Sequence, residues 1–284
     1  MQKIKSLYRF ISGKHQTLHM EYKVNMTPRY GHGKPPHEGL NQIISSGDTL
    51  YSEYLNKFKK YYSDLHKISI NKENENDPYW KNDFLPGLDI IGIYGLIAEH
   101  KPKKYIEIGS GNSTKVVRKA IQEQGLATKL ISIDPYPRAE IDHLSDEVHR
   151  LPVENISDYS FITDQLEEND ILFIDNSHRV FPNSDATVCF LDILPKLKPG
   201  VLVHIHDIYL PFDYPQFMCD RFYNEQYVLA AFILANPIRY NTVLPNFYIS
   251  ENISLNAIIS EFWKHDNTKE VERHGGSYWL KIGK

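Results

Sequence analysis

Tyr105-Ile-Glu-Ile-Gly-Ser-Gly-Asn-Ser-Thr114 is a short apolar strand signal that runs into two glycines and then into a helix. Glycine suits such a strand-to-helix turn because it reaches backbone angles closed to other residues and lets a ligand approach the main chain. The turn residues Gly109, Ser110, Gly111 and Ser113 are therefore candidate ligand contacts. A dinucleotide-binding turn of this kind carries a third glycine further on. Here that region reads Ser113, Thr114, Lys115. Glu107, two residues before Gly109, points to a different ligand, since a carboxylate there can hold the ammonium group of a bound amino acid.

Outward from the turn, the chain alternates short apolar strands with helices. Strands are expected at Lys104 to Ile108, Lys129 to Ile133, Val148 to Val153, Asp170 to Ile174 and Gly200 to His206. Helices are expected around Ile90 to Ile97, Thr114 to Gln124, Ser184 to Leu194 and residues 221 to 236. Two late segments, Tyr240 to Ser250 and Ser277 to Ile282, read as a closing pair of strands. This rhythm predicts a mostly parallel sheet covered on both faces, an α/β Rossmann-like doubly wound fold. The second strand ends at Asp134, an acid 27 positions after Glu107 and placed to accept the hydroxyls of a ribose.

Residues 1–80 read as an N-terminal helical extension and residues 81–284 as the main domain. Within the extension, Leu50, Tyr54, Phe58, Tyr61 and Leu65 recur at helical steps. Asp48 is placed to cap that helix. The run NKENENDP breaks the pattern and reads as a linker. The extension could cover the pocket, form a homodimer contact, or do both.

Bulk composition narrows the function classes. The 284 residues carry a net charge of −4, which gives no general attraction to a nucleic-acid backbone. Two cysteines, Cys189 and Cys219, make neither a zinc cluster nor a disulfide framework, so a cytoplasmic protein is expected. The opening MQKIKSLYRFISGKH has no long apolar run, and no stretch approaches the roughly 20 apolar residues of a membrane span.

Four motifs together resemble the bacterial class I S-adenosylmethionine (SAM)-dependent methyltransferases. They are Glu107 to Thr114 after the first strand, Ile133-Asp134-Pro135 after the second, Phe173-Ile-Asp-Asn-Ser-His178 after the fourth and His206-Asp207-Ile208 after the fifth. The resemblance covers residues from about 86 to 236. It implies a methyltransferase sheet whose last strand is antiparallel, with SAM held by Glu107, Gly109, Ser110, Gly111, Ser113 and Asp134. Asp175 would also face the cofactor, and Glu154 or Asn155 would bond the adenine amino group. A nicotinamide-dependent oxidoreductase on a Rossmann sheet and a non-catalytic SAM-binding or interaction protein are the alternatives.

The acceptor side rests on the ends of the fourth and fifth strands, where Asp175, His178, His206 and Asp207 should converge. Transfer of a methyl group to a hydroxyl requires a base or a divalent cation that makes the hydroxyl nucleophilic. Asp175, His206 and Asp207 could hold a metal such as magnesium, manganese or iron, although catechol-type enzymes have Asp-Asn where this chain has His206-Asp207. Alternatively His178 or His206 serves as base, with Asp207 beside them. Asp134-Pro-Tyr-Pro137 resembles the tetrapeptide of DNA amino-methyltransferases but follows the wrong strand, so a small-molecule or glycan hydroxyl is the expected acceptor. Arg138 and Arg179, just past strand ends, could bind an acidic acceptor. Arg221, Glu225, Gln226 and Tyr227 read either as the polar face of a helix or as residues closing the pocket.

Overall fold

The computed structural model describes residues 8, 10–13, 16–137 and 141–284. Seven strands form one sheet: β1 Lys104–Ile108, β2 Lys129–Ile133, β3 Glu147–His149, β4 Ile171–Ile174, β5 Leu202–Ile205, β6 Tyr240–Pro245 and β7 Tyr278–Ile282. Their order is β3-β2-β1-β4-β5-β7-β6. Strands β1 to β5 pair in parallel, and β7 lies antiparallel to both β5 and β6. The expected sheet, mostly parallel with an antiparallel last strand, is thus present.

The register matters more than the order. Ile108 pairs with Ile133 on one side and Ile174 on the other, and Ile174 pairs with Ile205. The next residue of each strand therefore falls in one row: Asp134, Gly109, Asp175 and His206. The four motifs of the sequence become neighbours because the parallel strands end level.

Five longer helices support this sheet: α1 Glu38–Ser45, α2 Asp48–Phe58, α3 Gly87–His100, α4 Asn112–Glu123 and α5 Glu225–Ala235. Helix α3 is buried along Gly87 to Ala98 because it is covered from two sides. A side chain at Gly92 would meet Asn246 and Leu244, and one at Gly95 would overlap the Phe58 ring of α2. These two glycines let the extension and the sheet both close on α3. Tyr51, Leu55 and Phe58 of α2 belong to the same apolar core as the strands. Burial of such large side chains stabilises by about 1.5–3 kcal/mol each.

Several boundaries differ from the sequence expectation for identifiable reasons. Strand β3 stops at His149, and Pro152, which has no N–H to donate, precedes a short turn at Val153–Asn155. The helix expected from residue 184 starts at Asp185–Val188, capped by Ser184, and continues as a π turn at Cys189–Ile193. Helix α5 begins only at Glu225, after Phe222 takes a φ of 63°. Asp48 is the first residue of α2 rather than its cap, a position held by Gly47, and its carboxylate accepts from Tyr248 Oη at 2.9 Å. No helix among the described residues is long and apolar enough to cross a membrane.

Gly109 is where the sheet tolerates least change. Its φ is +86°, and a Cβ there would land on the carbonyl oxygen of Asp175. Gly111 differs: its φ of 175° is extended backbone, and a Cβ would meet open space. Gly109→Ala is therefore expected to cost roughly 3 kcal/mol or more in urea unfolding, and Gly111→Ala about 0.5 kcal/mol or less. Equal losses would refute this distinction.

Candidate active site

Two cavities open at the C-terminal ends of the parallel strands. The first, about 850 Å³, is lined by the glycine turn, Asp134, Glu154 and Asp175. The second, about 490 Å³, is lined by His178, His206, Asp207, Tyr209, Tyr223 and the segment Trp80 to Pro86. Phe84, Leu85, Asp175 and His206 line both. Volumes of this order suit small-molecule ligands.

In the first cavity the acids have distinct tasks. Asp134 Oδ2 accepts the Ser110 N–H at 2.8 Å, and Oδ1 accepts the Tyr136 N–H at 2.7 Å. It braces the turn yet keeps lone pairs for a ligand hydroxyl. Glu107 is fully buried beneath the turn instead of lining the cavity. Its Oε1 accepts from Thr114 Oγ1 at 2.7 Å and Ser132 Oγ at 2.5 Å. Its Oε2 has no partner among the described residues. Burial, aided by Asp134 and Asp175, pushes its pKa up to about 8 against those two hydrogen bonds. Direct capture of a ligand's ammonium by Glu107 is thus corrected to a role under the floor, because the pairing of β1 with β2 and β4 encloses it. Ser113 lines the cavity, as does Glu154, whereas Asn155 is exposed and does not. The run expected as a linker contributes Lys72 and Glu75 to the same wall.

In the second cavity two imidazoles each have a buried carboxylate behind them. His178 Nδ1 lies 2.6 Å from Glu225 Oε1, and Nε2 lies 3.4 Å from both Asp175 Oδ1 and Asp207 Oδ2. His206 Nε2 lies 3.6 Å from Asp89 Oδ2, and Nδ1 lies 3.5 Å from Asp207 Oδ1 and 3.9 Å from Asp175 Oδ1. Burial lowers the pKa of both rings, but the carboxylates outweigh it: His178 is raised above its ordinary value and His206 is pushed up to about 10. Asp89, fully buried, is held down at about 2; burial opposes this, while His206, Ser277 and Asn246 prevail. His178 and Asp207 take positive φ angles, 61° and 55°, in the left-handed region. Holding them there costs on the order of 1 kcal/mol or more each, and such outliers gather at functional sites.

Asp89 was not legible as a site residue, and it sits in the first turn of α3. Its Oδ1 accepts from Asn246 Nδ2 at 2.7 Å and Ser277 Oγ at 2.6 Å, and its Oδ2 from the Gly276 N–H at 2.8 Å. The one available signal was an acid inside an otherwise apolar helix, which demands a buried partner. Of the residues read as either a polar helix face or a pocket wall, Glu225 and Gln226 are buried behind the second cavity, and Arg221 lines it. Gln226 Oε1 accepts the Tyr209 N–H at 3.0 Å and steadies the loop after β5.

The metal reading meets a structural objection. Asp175, His206 and Asp207 are brought together, yet no group of three or more His, Cys, Asp or Glu among the described residues could hold a metal ion. His206 turns its two nitrogens toward Asp89 and Asp207, so neither is directed at an open ligand position. Arg179 spends its guanidinium on the carbonyls of Arg221 and Ser177. Arg138 lies outside the described residues.

Residues 106–208 match the family model described as a methyltransferase domain. No curated protein sequence matches the chain. Among solved structures, the SAH-bound methyltransferase PaMTH1 from Podospora anserina is 14% identical, with 90% of this chain and 100% of that one covered and a TM-score of 0.43. An O-methyltransferase from Bacillus cereus in complex with SAH is 12% identical, covering 88% and 92%, with a TM-score of 0.39. MycE, a methyltransferase of the mycinamycin biosynthetic pathway in complex with Mg, SAH and mycinamycin VI, is 15% identical. That match covers 66% of this chain and 47% of MycE, with a TM-score of 0.39. At such scores the fold assignment rests on the strand order of the chain itself.

The electrostatics of His206 can be checked directly. Between about pH 6.5 and 10 the folded chain keeps a proton on His206 that the unfolded chain has released. The resulting stabilisation is complete below pH 6.5 and fades as pH rises through 10. Asp89→Asn should lower the ring's titration midpoint in imidazole NMR and flatten that fall in stability. A midpoint that does not move in the variant would show that Asp89 does not hold the proton.

Proposed function

We propose that this chain, whose residues 106–208 match the methyltransferase-domain model, is a SAM-dependent O-methyltransferase acting on a hydroxyl of a small molecule or sugar. The observation that carries the proposal is the meeting of the two cavities at Asp175 and His206. A donor in the first and an acceptor in the second would come together at that boundary.

The residues of the first cavity suit SAM. Asp134 retains acceptor capacity for the ribose hydroxyls. The bare backbone at Gly111 admits close approach. Beneath the turn, the unpartnered Glu107 Oε2 can accept a hydrogen bond relayed from an amino-acid ammonium by an intervening water. When bound, SAM supplies a methyl group activated by its sulfonium.

The residues of the second cavity supply the proton chemistry. In our reading, Glu225 accepts the Nδ1–H of His178 and thereby directs the Nε2 lone pair into the acceptor cavity. His178 takes the acceptor's hydroxyl proton as the oxygen–methyl bond forms and the methyl–sulfur bond breaks. His206 stays protonated and, with Asp207, orients the acceptor oxygen. Trp80, Phe217 and Tyr223 give the acceptor cavity an aromatic lining suited to a planar or sugar ring. Because the proposed base is a histidine, the reaction is read as metal-free.

His178→Ala should lower kcat by about 10²–10⁴-fold and leave SAH affinity within about twofold. In the wild type, kcat/KM should rise with pH through a midpoint above 6.5, since His178 accepts a proton only once it has lost its own. Retention of full activity in His178→Ala would remove the base. Excess EDTA should leave turnover unchanged; loss of activity restored by magnesium would install the metal mechanism instead. For the cofactor, calorimetry should detect SAH and not NADH, and Asp134→Ala should weaken SAH by about 1–3 kcal/mol. Tight NADH binding without SAH binding would make the chain an oxidoreductase.

A further inference from the structure

Lys115 is a lysine in an electrostatically unfavourable place. It is 2% exposed, yet it lines the 850 Å³ cavity. It is the fourth residue of α4, directly beyond the glycine turn, and no acid occupies the first turn of that helix. The partial positive charge of a helix N-terminus repels an ammonium group. The nearby acids are engaged elsewhere: Glu75 pairs with Lys72 at 2.5 Å, and Asp77 accepts from Asn74 Nδ2 at 2.7 Å. Among the described residues Lys115 forms no ion pair; its ammonium lies over the Tyr79 ring, 5.8 Å from the centroid. Burial and the charge of Lys72 lower its pKa, with Glu75 and Asp77 opposing. A lysine whose stem is buried and whose ammonium faces a cavity without a carboxylate partner is placed to receive an anion from a ligand.

We propose that Lys115 is the residue that binds the carboxylate of the methyl donor's amino-acid tail. The inference rests on the SAM reading of the first cavity. It explains why a lysine occupies this position: the ligand brings the counter-charge that the helix lacks. Around the turn, Glu107 then offers a hydrogen-bond acceptor beneath the backbone and Lys115 a cation on the cavity wall, one for each end of the zwitterion. The Tyr79 ring lies beside the ammonium, 5.8 Å away at its centroid. The helix N-terminus, repulsive toward the lysine alone, becomes favourable to the lysine–carboxylate pair, because the bound anion sits near its free N–H groups.

The test is a double-mutant cycle read by calorimetry, with no turnover required. The ligands are SAH and its decarboxylated analogue, the adenosyl aminopropyl thioether. The proteins are the wild type, Lys115→Met, which keeps the apolar stem, and Lys115→Arg, which keeps the charge. Circular dichroism confirms folding of each. In the wild type, loss of the carboxylate should weaken binding about 10- to 100-fold, the scale of a charge-assisted hydrogen bond. Lys115→Met should weaken SAH by the same factor and leave the analogue unchanged. Lys115→Arg should retain most of the preference for SAH. If Lys115→Met weakens both ligands equally, or neither, Lys115 does not bind the carboxylate. A folded wild type that binds neither ligand overturns the SAM reading itself, and stronger binding of NADH would redirect the lysine to a pyrophosphate.

Discussion

The level ends of four parallel strands are the constraint from which the site follows. Ile108, Ile133, Ile174 and Ile205 share one register, so Gly109, Asp134, Asp175 and His206 emerge side by side. Gly109 is the narrowest point of that row. The Asp175 N–H donates to the Ile108 carbonyl at 2.9 Å, and the Gly109 N–H to the Ile133 carbonyl at 3.0 Å. With no side chain at Gly109, β1 and β4 stay paired up to the turn. A residue with a Cβ would push Asp175 away and separate the two cavities that it joins.

Behind that row, the two imidazoles are held by carboxylates from opposite ends of the sequence. Asp89 comes from α3, before the first strand, and Glu225 from α5, after the fifth. Each is buried, and each faces a ring nitrogen on the side away from Asp207. Four carboxyl groups thus surround two imidazoles, and the surplus of acid explains why both rings are shifted upward despite burial. Such a surplus favours a cationic ligand over a neutral one at this wall.

The parts legible in the sequence were those encoded locally. A glycine turn after an apolar strand, an acid ending the next strand, and Asp175-x-x-His178 with His206-Asp207 are each short runs whose geometry follows from the strand that precedes them. Asp89 was illegible because its partner lies 117 positions away (206 minus 89), and only the stacking of α3 against the sheet brings them together. Glu225 had two readings, outward on a helix or inward on a pocket, and helical spacing cannot choose between them when both faces of α5 carry apolar residues. Glu107 was placed in the right motif and given too direct a task, because alternation along β1 fixes which way a side chain points only once the neighbouring strands are known.

The segment from Lys72 to Asp89 ties these parts into one device. Lys72, Glu75 and Tyr79 wall the first cavity, Trp80 to Pro86 wall the second, and Asp89 backs His206. Asn82 keeps the middle of this segment in shape. Its buried Nδ2 donates to the carbonyls of Tyr79 and Leu85 at 3.0 and 3.1 Å, and its Oδ1 accepts the Leu85 N–H at 2.7 Å. Phe84 and Leu85, in this braced turn, face both cavities. A shift of the segment to admit a ligand on one side must therefore alter the wall on the other. The two cavities are therefore coupled through this segment, and the chain ahead of the first strand helps to build the candidate site rather than hanging from it.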